Sequence, residues 1–181
     1  MPLTGAVAVR LFDDHVDAVH AAIARRVGDA AAPVVTAEAF DDATTSWRGT
    51  EPSPGAERRA LLRAAVRAIG RHPDLERAHL LSCRPPRGPA TSFADPLVGD
   101  PRHGAAGAPS DGVGDVEAGR LMLAVTELEP VERDVLLLSL WEGCSQGEVA
   151  DVVERPAAEI RSILGDVRRR LSIAASGGRD G

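Results

Sequence analysis

Three groups of residues have the type and spacing to do chemistry. The first begins at Ser145-Gln146-Gly147-Glu148, a serine three residues ahead of a glutamate. In that spacing the hydroxyl accepts an early backbone N–H of a helix and the carboxylate reaches back to the serine N–H. Val149, Ala150 and Val153 follow, then the break Glu154-Arg155-Pro156, then a run bearing Arg161, Ser162, Arg168, Arg169 and Arg170. A short capped helix, a tight turn and a longer basic helix make a helix-turn-helix. Ala150 is small where the helices cross, and the outer face of the second helix can enter a major groove. The second group is Arg59, Arg63, Arg67 and Arg71, four guanidinium groups at i+4 spacing. Such a ridge follows a phosphate strand or is a solvated helix face, and the residues alone allow both. The third is two acid pairs, Asp13-Asp14 and Asp41-Asp42, which on polar helix faces read as solvated charge or protein contacts.

Enzyme chemistry is not suggested. His15, His20, His72, His79 and His103 show no metal spacing with carboxylates or cysteines, and no nucleophile elbow, phosphate loop or metalloprotease pattern occurs. Cys83 and Cys144 form no CxxC pair, and Cys144 reads as a small buried residue. No catalytic residue, metal or cofactor is therefore expected.

The chain has 181 residues, 44% hydrophobic and 27% charged, values of a folded globular protein. All 21 basic residues are arginine, and lysine, asparagine and tyrosine are absent, a bias of GC-rich codons. Any basic surface is thus made of planar, bidentate donors suited to phosphate and guanine. The net charge of −6 argues against a protein that coats nucleic acid, but the charge is uneven. Residues 116–154 hold nine acids against Arg120 and Arg133, whereas 156–173 hold four arginines against Glu159 and Asp166. No apolar run approaches the roughly 18 residues that span a bilayer. Met1-Pro2-Leu3-Thr4 lacks the basic start of a secretory signal. A cytoplasmic location with no membrane partner is expected.

The elements that position these groups are helices throughout, with no strand-like alternation. Phe12, Val16, Val19, Ile23 and Val27 form one stripe, stopped at Gly28. Pro33 opens a second helix with Phe40, Ala43 and Trp47 on one face. A third, after Pro54-Gly55, buries Leu62, Ala65, Val66 and Ile69, and a short piece near 74–82 follows. Residues 84–114, rich in Gly, Pro, Ala and Ser, read as a connector. Beyond it Asp115 caps a helix with Leu121, Val125 and Leu128 inward, and Pro130 starts one running through Trp141 to Gly143. Val149 and Val153 are the buried positions of the capped helix, and Ile160, Ile163, Leu164, Val167 and Leu171 the stripe of the last. The expected architecture is all-α. It comprises two small helical domains (1–82 and 116–175), a flexible linker (83–115) and a disordered tail (176–181), with the C-terminal domain a four-helix helix-turn-helix.

Residues 121–171 resemble region 4 of the extracytoplasmic-function RNA polymerase sigma factors. The likeness lies in Leu128-Glu129-Pro130-Val131-Glu132-Arg133-Asp134-Val135-Leu136-Leu137-Leu138, in Glu142-Gly143, in the Ser145–Val153 helix and in Ile160-Arg161-Ser162 with Leu164. Leu11-Phe12-Asp13-Asp14-His15-Val16-Asp17-Ala18-Val19, Ala24–Asp29, and Val35–Phe40 with Trp47-Arg48 are similar to region 2. The resemblance implies a factor that binds core RNA polymerase and double-stranded promoter DNA, with an anti-sigma protein as a regulatory partner. It implies −35 contacts from Ala157, Ala158, Glu159, Arg161, Ser162, Gly165, Arg168 and Arg169. It puts Arg59, Arg63, Arg67 and Arg71 on the −10 side, and Glu38, Asp41, Asp42, Thr45 and Arg48 on the polymerase clamp.

Two segments depart from the family pattern. Residues 48–82 contain no aromatic, so the stacking platforms for unpaired bases are missing. Ala157, Ala158 and Glu159 offer few donors to base edges, and Gly165 weakens its helix by about 1 kcal/mol relative to alanine. Two other functions fit these residues: a sigma-like interaction protein that binds polymerase or a partner without reading promoters, and a dimeric helix-turn-helix regulator.

Overall fold

A computed structural model describes residues 5–47, 54–83 and 113–176. The fold is all-α. Among the described residues eight helices run in chain order, with no strand: α1 (Gly5–Val27), α2 (Ala32–Ser46), α3 (Pro54–Gly70), α4 (Pro73–Ser82), α5 (Val113–Thr126), α6 (Pro130–Leu140), α7 (Gln146–Val153) and α8 (Ala157–Ser176). The connector 84–112 and the tail 177–181 lie outside the described residues, although Ser176 belongs to α8.

The punctuation is local. Gly28 takes φ +84, a left-handed conformation in which its N–H meets the Ala24 carbonyl at 2.9 Å, closing α1. A Cβ there would stand 2.9 Å from His79 Nδ1 on α4, so the close approach also requires glycine. Proline near the first position of α2, α4 and α6 supplies a preset φ where no N–H is needed. Asp115 does not cap α5, which starts two residues earlier at Val113.

Each helix hides the stripe its sequence marks, with two shifts. Leu11, not Phe12, is the buried residue at the start of the α1 stripe; Phe12 remains 45% exposed and tilts against the Phe40 ring, centroids 4.9 Å apart. In α7 the fully buried partner of Val149 is Val152, and Val153 is half-buried. Leu11, Val19, Ile23, Val35, Phe40, Leu61, Ala65 and Ile69 anchor a core of α1, α2 and α3. Val125, Leu128, Leu136, Leu137, Val167 and Leu171 join α5, α6 and α8.

The helix α3 does more than its apolar pattern suggests. Leu61, Ala64 and Ala68 face α1 and α2, whereas Leu62 and Val66 pack with Val135, Leu138, Cys144, Val149 and Val152 from the second half of the chain. A helix rich in small residues and buried on two sides thus brings the two halves into contact. Burying a leucine contributes about 1.5–3 kcal/mol, so Leu62 is a substantial tie.

A buried ionic network reinforces it. Arg26 of α1 is 6% exposed; its Nε donates to Glu76 of α4 at 2.7 Å, and its terminal nitrogen donates to Glu76 and to Asp134 of α6. Arg133 Nε lies 3.5 Å from the same Glu76. Burial lowers the Arg26 pKa, but the Asp134 and Glu76 charges outweigh it and the net direction is up. Burial drives the Asp134 carboxyl up, only partly offset by Arg26. Removing one member leaves a buried charge without its counterion, a loss of about 3–5 kcal/mol. Arg26→Leu should therefore lower unfolding free energy by that amount in urea titrations, and Asp134→Asn added to it should recover part of the loss. Additive losses in the double variant would show that the network is not coupled.

Candidate nucleic-acid interface

The site is built on α7 and α8. Ser145 has extended backbone (φ −63, ψ 159), and its Oγ accepts the Glu148 N–H at 3.3 Å while Glu148 Oε2 accepts the Ser145 N–H at 2.9 Å. The Ser145 backbone and hydroxyl hydrogen bonds hold the Glu148 carboxyl below the usual glutamate range. The capping box expected from the sequence is thus formed, and it sets the start and direction of α7.

The turn after α7 is tight and strained at one residue. Glu154 takes φ 57, ψ 43, and its N–H and that of Arg155 both go to the Ala150 carbonyl, the latter at 3.1 Å. Left-handed backbone costs a non-glycine residue about 1–2 kcal/mol, held here by the surrounding packing. The turn sends α8 across α7, with Val149 and Ile160 fully buried and Ala150 and Val153 half-buried against the same cluster. Val167 and Leu171 carry α8 on over α5 and α6. Arg170 donates to Glu132 of α6 at 2.6 Å and fixes the far end.

What remains outward is the expected face. Ala157, Ala158, Arg161, Ser162, Gly165, Arg168 and Arg169 are exposed, and Glu159 is half-buried. Arg169 donates to Asp166 one turn back, and Arg155 reaches Glu159 at 3.3 Å. A Cβ at Gly165 would meet nothing within 4 Å, so no packing demand explains this glycine.

The arginines of α3 are placed differently from a free ridge. Arg59 Nε lies 3.4 Å from Asp151, Arg63 reaches Glu154 at 3.4 Å and the Asp151 carbonyl at 2.7 Å, and Arg67 donates to Glu154 at 3.0 Å. Arg58, which the sequence reading passed over, donates to the Glu142 carbonyl at 2.7 Å and lies 3.4 Å from Glu148. Arg71 turns the other way, to Asp42 at 2.7 Å and Glu38 at 3.1 Å on α2. The ridge therefore faces carboxylates along its length. Nothing in its i+4 spacing gave the register of the acids opposite, which for Arg63 and Arg67 sit 88 and 87 residues away.

The residues assigned to a polymerase contact are divided. Asp41 and Thr45 are exposed on α2, whereas Glu38 and Asp42 are half-buried beneath Arg71 and His72. Burial opposes ionisation of Glu38, but hydrogen bonds from His72 and Arg71 prevail and hold its carboxyl low. Trp47 follows the last turn of α2 in extended backbone; Arg48 lies outside the described residues.

Both cysteines are free, and burial pushes each thiol up, which makes neither a ready nucleophile. Among the described residues no group of three or more His, Cys, Asp or Glu could hold a metal ion, and no helix is long and apolar enough to cross a membrane.

No protein-family model matches the chain, and no curated protein matches it in sequence. The site's geometry is therefore the ground for its function.

Ser145→Ala should cost about 1 kcal/mol, the usual value of a lost helix cap, read from chemical denaturation. Because the Glu148 pKa is depressed on folding, its share of stability is complete above the ordinary glutamate range and is lost as pH falls through the depressed value. Glu148→Gln should flatten that acid limb; an unchanged limb would mean that the cap carries no charge-dependent stability.

Proposed function

We propose that this protein is a transcription initiation factor of the extracytoplasmic-function sigma type. It would bind core RNA polymerase and direct promoter-specific initiation in the cytoplasm, where polymerase works. The observation that carries this reading is the α7–α8 pair: a capped short helix crosses a longer one whose arginine-bearing outer face is exposed. That face fits a major groove, which is wide enough to admit a helix. Arg161 and Ser162 reach toward base edges or phosphate, and Arg168 and Arg169 toward backbone. Phosphate contacts position the helix without specifying sequence, so core polymerase and a second contact must add selectivity. In this reading α2 meets the polymerase clamp through Asp41 and Thr45, and an anti-sigma protein is the regulatory partner that the sequence resemblance implies.

A second reading, a sigma-like protein that binds polymerase or another partner without reading promoters, draws on two observations. The arginines of α3, and Arg71 just beyond it, are matched with carboxylates, and α8 opens with Ala157, Ala158 and Glu159. A dimeric regulator with the same helix pair would bind a palindromic site without polymerase.

The deciding experiment mixes the purified chain with core RNA polymerase and GC-rich genomic fragments. Promoter-specific run-off transcripts are expected, together with tight DNA binding only in the presence of core enzyme. Core binding without transcripts would favour the second reading, and tight palindrome binding without core the third. Arg161→Ala with Arg168→Ala should reduce duplex affinity about tenfold and lower the salt slope by about 1–2, as expected when phosphate contacts are lost. Unchanged affinity would remove α8 from the interface.

A further inference from the structure

The outer edge of α7 and one side of α3 form a charge ladder in which Asp151, Glu154 and Arg67 are exposed and Arg59 and Arg63 are half-buried. Asp151 on α7 and Glu154 at its C-cap lie three residues apart, and Arg59, Arg63 and Arg67 lie one turn apart on α3. Contacts of 3.0–3.4 Å join them in order. The acids thus offer this ridge anions along the side where a phosphate strand would otherwise bind. Three features set the ladder apart from chance surface pairing. The Asp151 carbonyl adds a 2.7 Å hydrogen bond from Arg63. Leu62 and Val66, between the arginines, pack into the core that contains Val149 and Val152 of α7. Glu154 stands in left-handed backbone, where glycine or asparagine is the relaxed choice, and its carboxylate is the one that meets both Arg63 and Arg67.

We propose that α7 is an internal stand-in for nucleic-acid phosphate: its carboxylates occupy the arginine ridge of α3, and duplex must displace them before the ridge can bind it. The chain is thus self-masked on the α3 side while the outer face of α8 stays open. This rests on the proposed function only in taking duplex as the competitor. The ridge is a second polyanion-binding surface whose availability is set by Asp151 and Glu154. Each exposed ion pair is individually weak, so a strand of closely spaced phosphates can compete with all three at once, releasing its own counterions as it does so.

The test uses the full chain and a labelled duplex of arbitrary sequence, with affinity read by fluorescence anisotropy across a salt series. Asp151→Asn with Glu154→Gln removes the carboxylates and keeps side-chain shape. About tenfold tighter binding is expected, with a salt slope steeper by about 3, corresponding to the three arginines released. Adding Arg59→Gln, Arg63→Gln and Arg67→Gln to that variant should abolish the gain, whereas the same three changes in the unaltered chain should alter affinity far less. Glu154→Gly is the companion variant: it suits φ 57 and removes the shared carboxylate, so it should bind more tightly without loss of thermal stability from strain. Unchanged affinity in the acid variants overturns the proposal. A gain that survives loss of Arg59, Arg63 and Arg67 overturns it as well, since it would come only from removing negative charge near α8. Arg161→Ala with Arg168→Ala, made in both backgrounds, separates this result from the proposed function. If α8 is not an interface, those changes leave affinity alone while the ladder effect persists.

Discussion

A guanidinium ion cannot shed its charge in a protein, so one placed in an interior compels the surroundings to supply anions. Arg26 imposes that demand at the seam of this fold. Glu76 on α4 answers it from the same half of the chain and Asp134 on α6 from the other. The requirement therefore fixes the relative placement of α1, α4 and α6 more strictly than apolar contact alone would. Burial of ions is a poor source of net stability but a strong source of specificity in some folds, because alternative packings strand a charge. Arg25, one residue earlier, repeats the link at the surface, donating to both carboxylate oxygens of Glu142 at 2.7 and 2.8 Å.

Against this seam, α3 acts as a two-sided plate. Its run Ala60-Leu61-Leu62-Arg63-Ala64-Ala65-Val66 has too many small and apolar residues for a helix with one buried face. Small side chains allow close approach on the α1–α2 side, while Leu62 and Val66 fill the side toward α7. The arginines between these faces are then directed along the border, where α7 meets them. Ionic and apolar ties so reinforce one another, and the helix-turn-helix is held against the N-terminal helices by its first helix, leaving the second outward.

The all-helical fold, the capping box, the turn before α8 and the buried stripe of α8 were legible because each depends on residues within one or two turns of each other. Ser145 and Glu148 are three apart, and Ile160, Leu164, Val167 and Leu171 follow the helical period. The misreadings have the opposite character. Phe12 and Leu11 are adjacent and both apolar, so period alone could not say which faces inward; the smaller residue is buried and the aromatic edge meets Phe40. Val152 and Val153 pose the same ambiguity. The partners of the α3 arginines were illegible because they are set by packing between segments some 90 residues apart. One signal was present: the excess of acids over 116–154 needed a basic counterpart, and the nearest dense set of arginines in the other half is on α3.

The ladder between α3 and α7 has a chemical consequence that follows from its composition. A lysine-built border could be weakened by acylation of its ε-amines, a change that erases charge one site at a time. Arginine offers no such amine, and methylation leaves its charge in place. With its carboxylates ionised, the border is loosened from without by raising ionic strength, which shortens the reach of exposed charges, or by bringing up a denser array of anions. Of these two, the second is selective. In a chain without a single lysine, the holding force on this face responds to the company the protein keeps rather than to marks placed on its basic side chains.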